Sequence, residues 1–213
     1  MSITSRLNEL KAALPDTVTL VAVSKFHPTN SLQEAYDAGQ RIFGESRAQE
    51  LMQKQRCLPA DIQWHFIGTL QRNKVKDIAP FIHTIQSLDS LRLLEEVSKQ
   101  AVKQQRLIKV LLEVHVAEEE TKHGFSVEEC KALLESNWKE RYPNIDIQGL
   151  MGMATNTDDE RLIRQEFGLL KQLKDAYPFL SILSMGMSDD YRIAIEEGST
   201  MVRIGSSIFG YRE

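Results

Sequence analysis

Short apolar, β-branched runs alternate with longer amphipathic, charged runs along the whole chain. The apolar runs predict strands over residues 17–23, 41–44, 63–67, 82–86, 108–116, 147–153, 182–185 and 201–204. Helical periodicity is clear over 31–38, 91–105, 127–136, 161–176 and 190–197. Ser31 and Glu34 read as a capping box, with Gly39 just past the helix end. The last helix follows the same grammar, with Ser188 as N-cap, Asp189 and Asp190 in its first turn and Gly198 at its end. Ala38-Gly39-Gln40-Arg41-Ile42 and Glu197-Gly198-Ser199-Thr200-Met201 repeat one helix–glycine–strand joint.

About eight βα units in 213 residues predict an α/β fold, a single (β/α)8 TIM-type barrel at the small end of its size range. An open doubly wound sheet is the runner-up; it ordinarily uses fewer strands and often a Gly-x-Gly-x-x-Gly turn, which this chain lacks. No Pro/Gly-rich linker divides the chain, so residues 1–213 read as one domain. Too little follows the last strand for a full closing helix. The extra N-terminal helix, residues 3–14, is expected to take that place.

Composition narrows the function. A net charge of -4 argues against a nucleic-acid binder. Cys57 and Cys130 form no Cys-x-x-Cys pair, and the five histidines show no His-x-x-x-His spacing, so neither a disulfide framework nor a metal site is expected. Residues 1–6 lack the apolar core of a signal peptide, and no apolar run is long enough to span a bilayer. A cytoplasmic protein with no membrane partner is expected.

A barrel carries its chemistry at the C-terminal ends of its strands. Lys25 follows the strand Leu20-Val21-Ala22-Val23-Ser24 and belongs to that face. Desolvation lowers a lysine's pKa, and the neutral amine attacks an aldehyde. Standing alone, it is more simply a lysine that reaches water from a strand end. The segments Ser184-Met185-Gly186-Met187-Ser188 and Arg203-Ile204-Gly205-Ser206 open two other strand ends into glycine and serine. Ser184, Ser188, Gly205 and Ser206 form a candidate phosphate cradle, against the simpler reading of a cap and a turn. Arg203 sits on an apolar strand, where a charge needs either a carboxylate or a ligand. Cradle, arginine and lysine together point to a phosphorylated aldehyde held as a Schiff base. His65 reads as a hydrogen-bonded core histidine, with a general base as the alternative. Asn73 and Lys74 are expected to start a helix at the functional rim. Glu118, Glu119 and Glu120 read as a solvated loop, or with Lys122 and Gly124 as a rim element.

Ala22-Val23-Ser24-Lys25, Phe43-Gly44-Glu45, Trp64-His65-Phe66-Ile67-Gly68 with Leu70-Gln71 and Asn73-Lys74, Gly149-Leu150-Met151, Ser184 to Asp190, and Gly198 to Gly205 occur in that order across nearly the whole chain. In these segments the chain resembles the pyridoxal phosphate homeostasis proteins, single-domain relatives of the alanine racemase N-terminal barrel. The resemblance implies that Lys25 forms the internal aldimine with pyridoxal 5′-phosphate and that Arg203 faces the pyridine nitrogen. It implies that Ser184, Gly205 and Ser206 hold the phosphate, with Ser188 close by. A guanidinium there keeps the nitrogen unprotonated and the ring a weak electron sink. The implied role is cofactor binding without robust catalysis, with pyridoxal-phosphate-dependent client enzymes as partners, a monomer, and no catalytic residue. A small racemase is the alternative, but racemisation needs a base on each face of the cofactor, and no residue clearly supplies the second. Two departures stand out. Ser46-Arg47 replaces the usual Asn-Tyr, and Phe26-His27-Pro28 replaces Thr-Lys-Pro, so a second lysine beside the first is missing.

Overall fold

Strand β1 (Thr19–Val23) lies between two neighbours, and the second of these decides the fold. It pairs in parallel with β2 (Ile42–Glu45) and, through Thr19↔Met201 to Ala22↔Ile204, with β8 (Met201–Ile204). Between them β3 (Gln63–Phe66), β4 (Thr84–Leu88), β5 (Ile108–Glu113), β6 (Ile145–Met151) and β7 (Ile182–Ser184) follow in chain order. The result is a closed parallel barrel β1-β2-β3-β4-β5-β6-β7-β8, not an open sheet. The computed structural model describes residues 1–118 and 123–210. Among them no helix is long and apolar enough to cross a membrane.

Helices α1 (Ile3–Ala13), α2 (Thr29–Asp37), α3 (Ala48–Cys57), α4 (Arg72–Ile78), α5 (Leu91–Lys103), α6 (Val127–Leu134), α7 (Trp138–Arg141), α8 (Glu160–Asp175), α9 (Tyr191–Glu196) and α10 (Ser206–Phe209) surround it. Strand side chains alternate between two environments. Leu20, Ala22, Leu112, Leu150 and Val202 face the helices in the main core. Val21, Leu111, Met151 and Met201 form a second, separate cluster. The alternation makes that cluster the inside of the barrel, where the polar groups of the site rest on it.

The helix starts follow local chemistry. Ser90 caps α5 by accepting from Leu93 N, and Ser126 with Glu129 forms a reciprocal capping box on α6. The capping box expected at Ser31 does not form: α2 begins two residues earlier, behind Pro28, and has no side-chain cap. Ser188 is not the cap of the last helix either. α9 begins after Asp190, whose carboxylate accepts from Met187 N at 2.6 Å. The repeated joint is real: Gly39 and Gly198 both follow a helix with φ near +90° (87° and 92°), which a side chain would strain. Among the described residues only the four-residue α10 follows β8, and α1 packs against it, with Arg6 Nε donating to Ile208 O at 2.7 Å. The N-terminal helix therefore closes the ring as expected.

β6 runs over Ile145–Met151 rather than 147–153, and β4 and β5 also depart from their predicted bounds. Ile82 N bonds back to Ile78 O, so the first apolar residues of the 82–86 run finish the turn after α4, and β4 extends to Leu88. β5 ends at Glu113 rather than at 116; Val114 instead bridges to Phe125.

Candidate functional site at the barrel mouth

The end of β1 is fixed from behind by a buried ion cluster. Lys54, on α3, is 4% exposed and donates to Ser24 O, Glu45 Oε1 and Glu50 Oε1, each at 2.7 Å. Ser24 Oγ donates to the same Glu45 oxygen at 2.6 Å, and Phe26 N donates to Glu50 Oε1 at 2.6 Å. The backbone on both sides of Lys25 is thus clamped, and Phe26 holds a left-handed φ of 67°. Burial pushes the Glu45 carboxyl above its usual range, against the pull of Lys54 and Ser24. Lys54 is not among the residues that line the cavity, and its ammonium is committed to this cluster.

A cavity of about 750 Å³ opens at the C-terminal ends of the strands, and Lys25, Ser188, Arg203, Gly205 and Ser206 all line it. The hydroxyls of Ser188 and Ser206 make no hydrogen bond among the described residues, so both are available as donors. Gly205 must be glycine: a Cβ there would lie 2.9 Å from Val23 O. That close approach brings the Ser206 turn against the end of β1, where Lys25 follows.

Ser184 does not reach the wall. It is fully buried, and its hydroxyl is occupied by Gln86 Oε1 at 2.6 Å and by Arg203 Nη1 at 2.8 Å. Its place is behind Arg203, not in the cradle. Arg203 also donates to Ser184 O at 2.8 Å and to Gly152 O at 3.0 Å. It is 4% exposed, yet it borders the cavity. Burial lowers its pKa to about 10, with Glu113 and Asp190 opposing, so it stays charged at neutral pH.

Glu113, at the end of β5, is a buried carboxyl on the cavity wall that the sequence reading missed. Nothing in the run Val110-Leu111-Leu112-Glu113 separates it from a strand-end carboxylate that reaches solvent. It is 5% exposed, and burial raises its pKa to about 7; Asp89 adds to the rise and Arg203 opposes it. A carboxyl whose pKa is higher folded than unfolded holds its proton more tightly in the native state. Stability is then lost as pH rises from about 4.5 to about 7. Glu113→Gln should remove that loss. The variant should gain on the order of 2 kcal/mol over the native chain between pH 5 and pH 8. Thermal melts of both proteins at the two pH values check this, and identical pH dependence would refute it.

The two departures noted in the sequence touch each other: the Arg47 guanidinium lies 4.5 Å from the centre of the Phe26 ring. His27 stacks on Phe209 at 4.8 Å and also lines the cavity, as does Ser46. His65 is buried and hydrogen-bonded to Gln86, as a core histidine. Asn73 and Lys74 stand in the first turn of α4 as expected. Glu119, Glu120 and Lys122 of the suggested rim element lie outside the described residues; Gly124 and Glu118 are described, and His123 reaches the cavity.

A closed eight-stranded parallel barrel with a lysine after its first strand, an arginine in its last, and a Gly-Ser turn beside them places the chain in the class of (β/α)8 barrel proteins with a mouth cavity suited to an anionic ligand. The family model described as alanine racemase, N-terminal domain, matches residues 1–213. A pyridoxal phosphate homeostasis protein of Aquifex aeolicus (strain VF5) is 40% identical over 200 residues, covering 91% of this chain and 87% of the relative. The chain belongs to the alanine racemase N-terminal-domain family and, within it, to the pyridoxal phosphate homeostasis proteins. PipY of Synechococcus elongatus PCC7942, solved with PLP bound, is 35% identical with a TM-score of 0.89, covering 98% of this chain and 100% of that one. An alanine racemase of Clostridium difficile 630 covers 99% of this chain and 57% of its own at 14% identity and a TM-score of 0.82, a likeness of fold alone.

Proposed function

We propose that the mouth cavity binds pyridoxal 5′-phosphate and that the protein acts in cytoplasmic homeostasis of this cofactor, as a single-domain binding protein without robust turnover. The observation that carries the reading is the convergence, in one cavity, of Lys25, Arg203, Ser188 and Ser206. The donor set fits the group. Two hydroxyls and the Gly205-Ser206 turn suit a phosphate, a lysine suits an aldehyde, and a guanidinium suits a ring nitrogen. When bound, the cofactor supplies an electrophilic carbon and a conjugated ring.

The residues then divide the work. The clamp on Ser24 O and Phe26 N orients the backbone that presents the Lys25 amine. Arg203 keeps its proton at neutral pH and offers the ring nitrogen a hydrogen bond without giving it a charge. That favours holding over carbanion chemistry, and so a carrier that limits free aldehyde and supplies client enzymes.

The test is titration of the purified protein with pyridoxal phosphate, borohydride reduction and peptide mapping. The adduct is expected on Lys25; an adduct on another lysine would reject the assignment. Sustained turnover of an amino acid by the loaded protein would replace the carrier by an enzyme. Arg203→Ala should weaken cofactor binding about tenfold or more, as expected for loss of a charged hydrogen bond, and should move the near-visible band. An unchanged titration and spectrum would remove Arg203 from the site.

A further inference from the structure

Behind Arg203 runs a line of buried hydrogen bonds that crosses half the barrel. Arg203 Nη1 on β8 reaches Ser184 Oγ on β7 at 2.8 Å. Ser184 Oγ reaches Gln86 Oε1 on β4 at 2.6 Å, and Gln86 Nε2 reaches His65 Nδ1 on β3 at 2.8 Å. All four side chains are at most 4% exposed. None but Arg203 lines the cavity.

The direction of donation along this line is forced. A guanidinium can only donate, so Ser184 Oγ accepts from it. The serine hydrogen then goes to an acceptor, which makes the near atom of Gln86 its carbonyl oxygen. The far atom is therefore the amide nitrogen, a donor, and His65 Nδ1 must accept. His65 is thereby held neutral, with its proton on Nε2. Its burial acts the same way, holding its pKa down to about 3. His65 Nε2 itself has no partner among the described residues, so the line ends there.

We infer that Ser184, Gln86 and His65 are positioning residues for the cofactor site, a relay that fixes the rotamer and direction of the Arg203 guanidinium. The relay deepens the proposed binding function and rests on Arg203 touching the cofactor. A planar fork needs support at its rear if its remaining donor face is to point into the cavity. The carbonyls of Ser184 and Gly152 hold the fork, and the Ser184 hydroxyl ties it to a rigid strand on the far side. Polar residues inside a barrel otherwise lined by Val21, Leu111, Met151 and Met201 carry a desolvation cost that packing alone does not explain.

The test has two parts. Ser184→Ala and Gln86→Leu, compared with Arg203→Lys, are titrated with pyridoxal phosphate and their near-visible bands recorded. Each relay variant should fold, bind about three- to tenfold more weakly and shift the band. Combining Ser184→Ala with Arg203→Lys should add nothing to Arg203→Lys alone. Relay variants that match the native protein while Arg203→Lys does not would overturn the relay and leave the cofactor reading standing. Arg203→Lys matching the native protein would instead overturn the placement of Arg203, and the relay with it. Should the variants not fold, ¹⁵N NMR of His65 in the native, ligand-free protein decides. A neutral ring with its proton on Nε2 from pH 5.5 to 8.5 supports the relay. A proton on Nδ1, or a ring that titrates in that range, overturns it.

Discussion

Lys25→Ala should lose all covalent retention of pyridoxal phosphate after borohydride reduction while melting within a degree or two of the native protein. The two halves of this expectation have separate causes. The amine is the group proposed to hold the aldehyde, and Lys54, the lysine that braces the end of β1, has its ammonium spent on three oxygens. The backbone on either side of Lys25 is held through Ser24 O and Phe26 N, and the Lys25 side chain borders a cavity rather than the core. Substitutions outside a packed core usually change stability by about 0.5 kcal/mol or less. Arg203, Ser188 and Ser206 remain, so reversible binding should persist, weakened. Intact-mass measurement after reduction checks the covalent half and thermal unfolding the other. A reduced adduct on Lys54 in the variant would show that the clamp is not closed.

Lys54→Met should have the largest effect on stability. Glu45 is fully buried, and Lys54 is its only cationic partner within ion-pair distance among the described residues. Removing the ammonium leaves a buried carboxylate without its counter-charge and with the Ser24 hydroxyl as a remaining donor, which costs about 3–5 kcal/mol. For a chain of this size the melting temperature should fall on the order of 10 °C. The deficit should shrink as pH falls, because the carboxyl, already pushed upward by burial, then takes a proton and needs no partner. Lys54→Met with Glu45→Gln should recover part of the loss. The single variant should also bind pyridoxal phosphate less well, since the same ammonium holds the Ser24 carbonyl beside Lys25. Melts at pH 5 and pH 8 decide the matter. A native-like melting temperature at pH 8 would mean that water reaches the pair.

The barrel was legible because its strands are short, apolar and regularly spaced, and because burial on both faces writes each of them into the sequence as a short continuous apolar run. Lys25, Arg203 and the Gly205-Ser206 turn were legible for a related reason: a charge or a small residue at the end of an apolar strand has few structural uses. The misplaced details all depend on what a side chain meets once the chain has folded. Ser31 has the spacing of a cap, but Pro28 starts its helix earlier; Ser188 precedes a helix, but Asp190 takes the turn. α3 escaped notice because Lys54 occupies its buried face, so the apolar periodicity breaks where the clamp is. Ser184 reads as a cradle residue in the chain, and only the barrel interior shows it turned toward Gln86, nearly a hundred residues away. Buried polar partners of this kind share no local pattern, since each looks like an ordinary surface residue until the sheet closes.

The seam between β1 and β8, sealed outside by α1 against α10, also sets an order of events during synthesis. Lys25 leaves the ribosome early, on a strand with one edge unpaired, and Arg203 and Ser206 emerge about 180 residues later. The amine and the groups proposed to grip the ring and the phosphate therefore never stand together on an unfinished chain. A nascent polypeptide with its lysine exposed has no means of concentrating a reactive aldehyde, and capture of the cofactor becomes a property that only the finished ring can have.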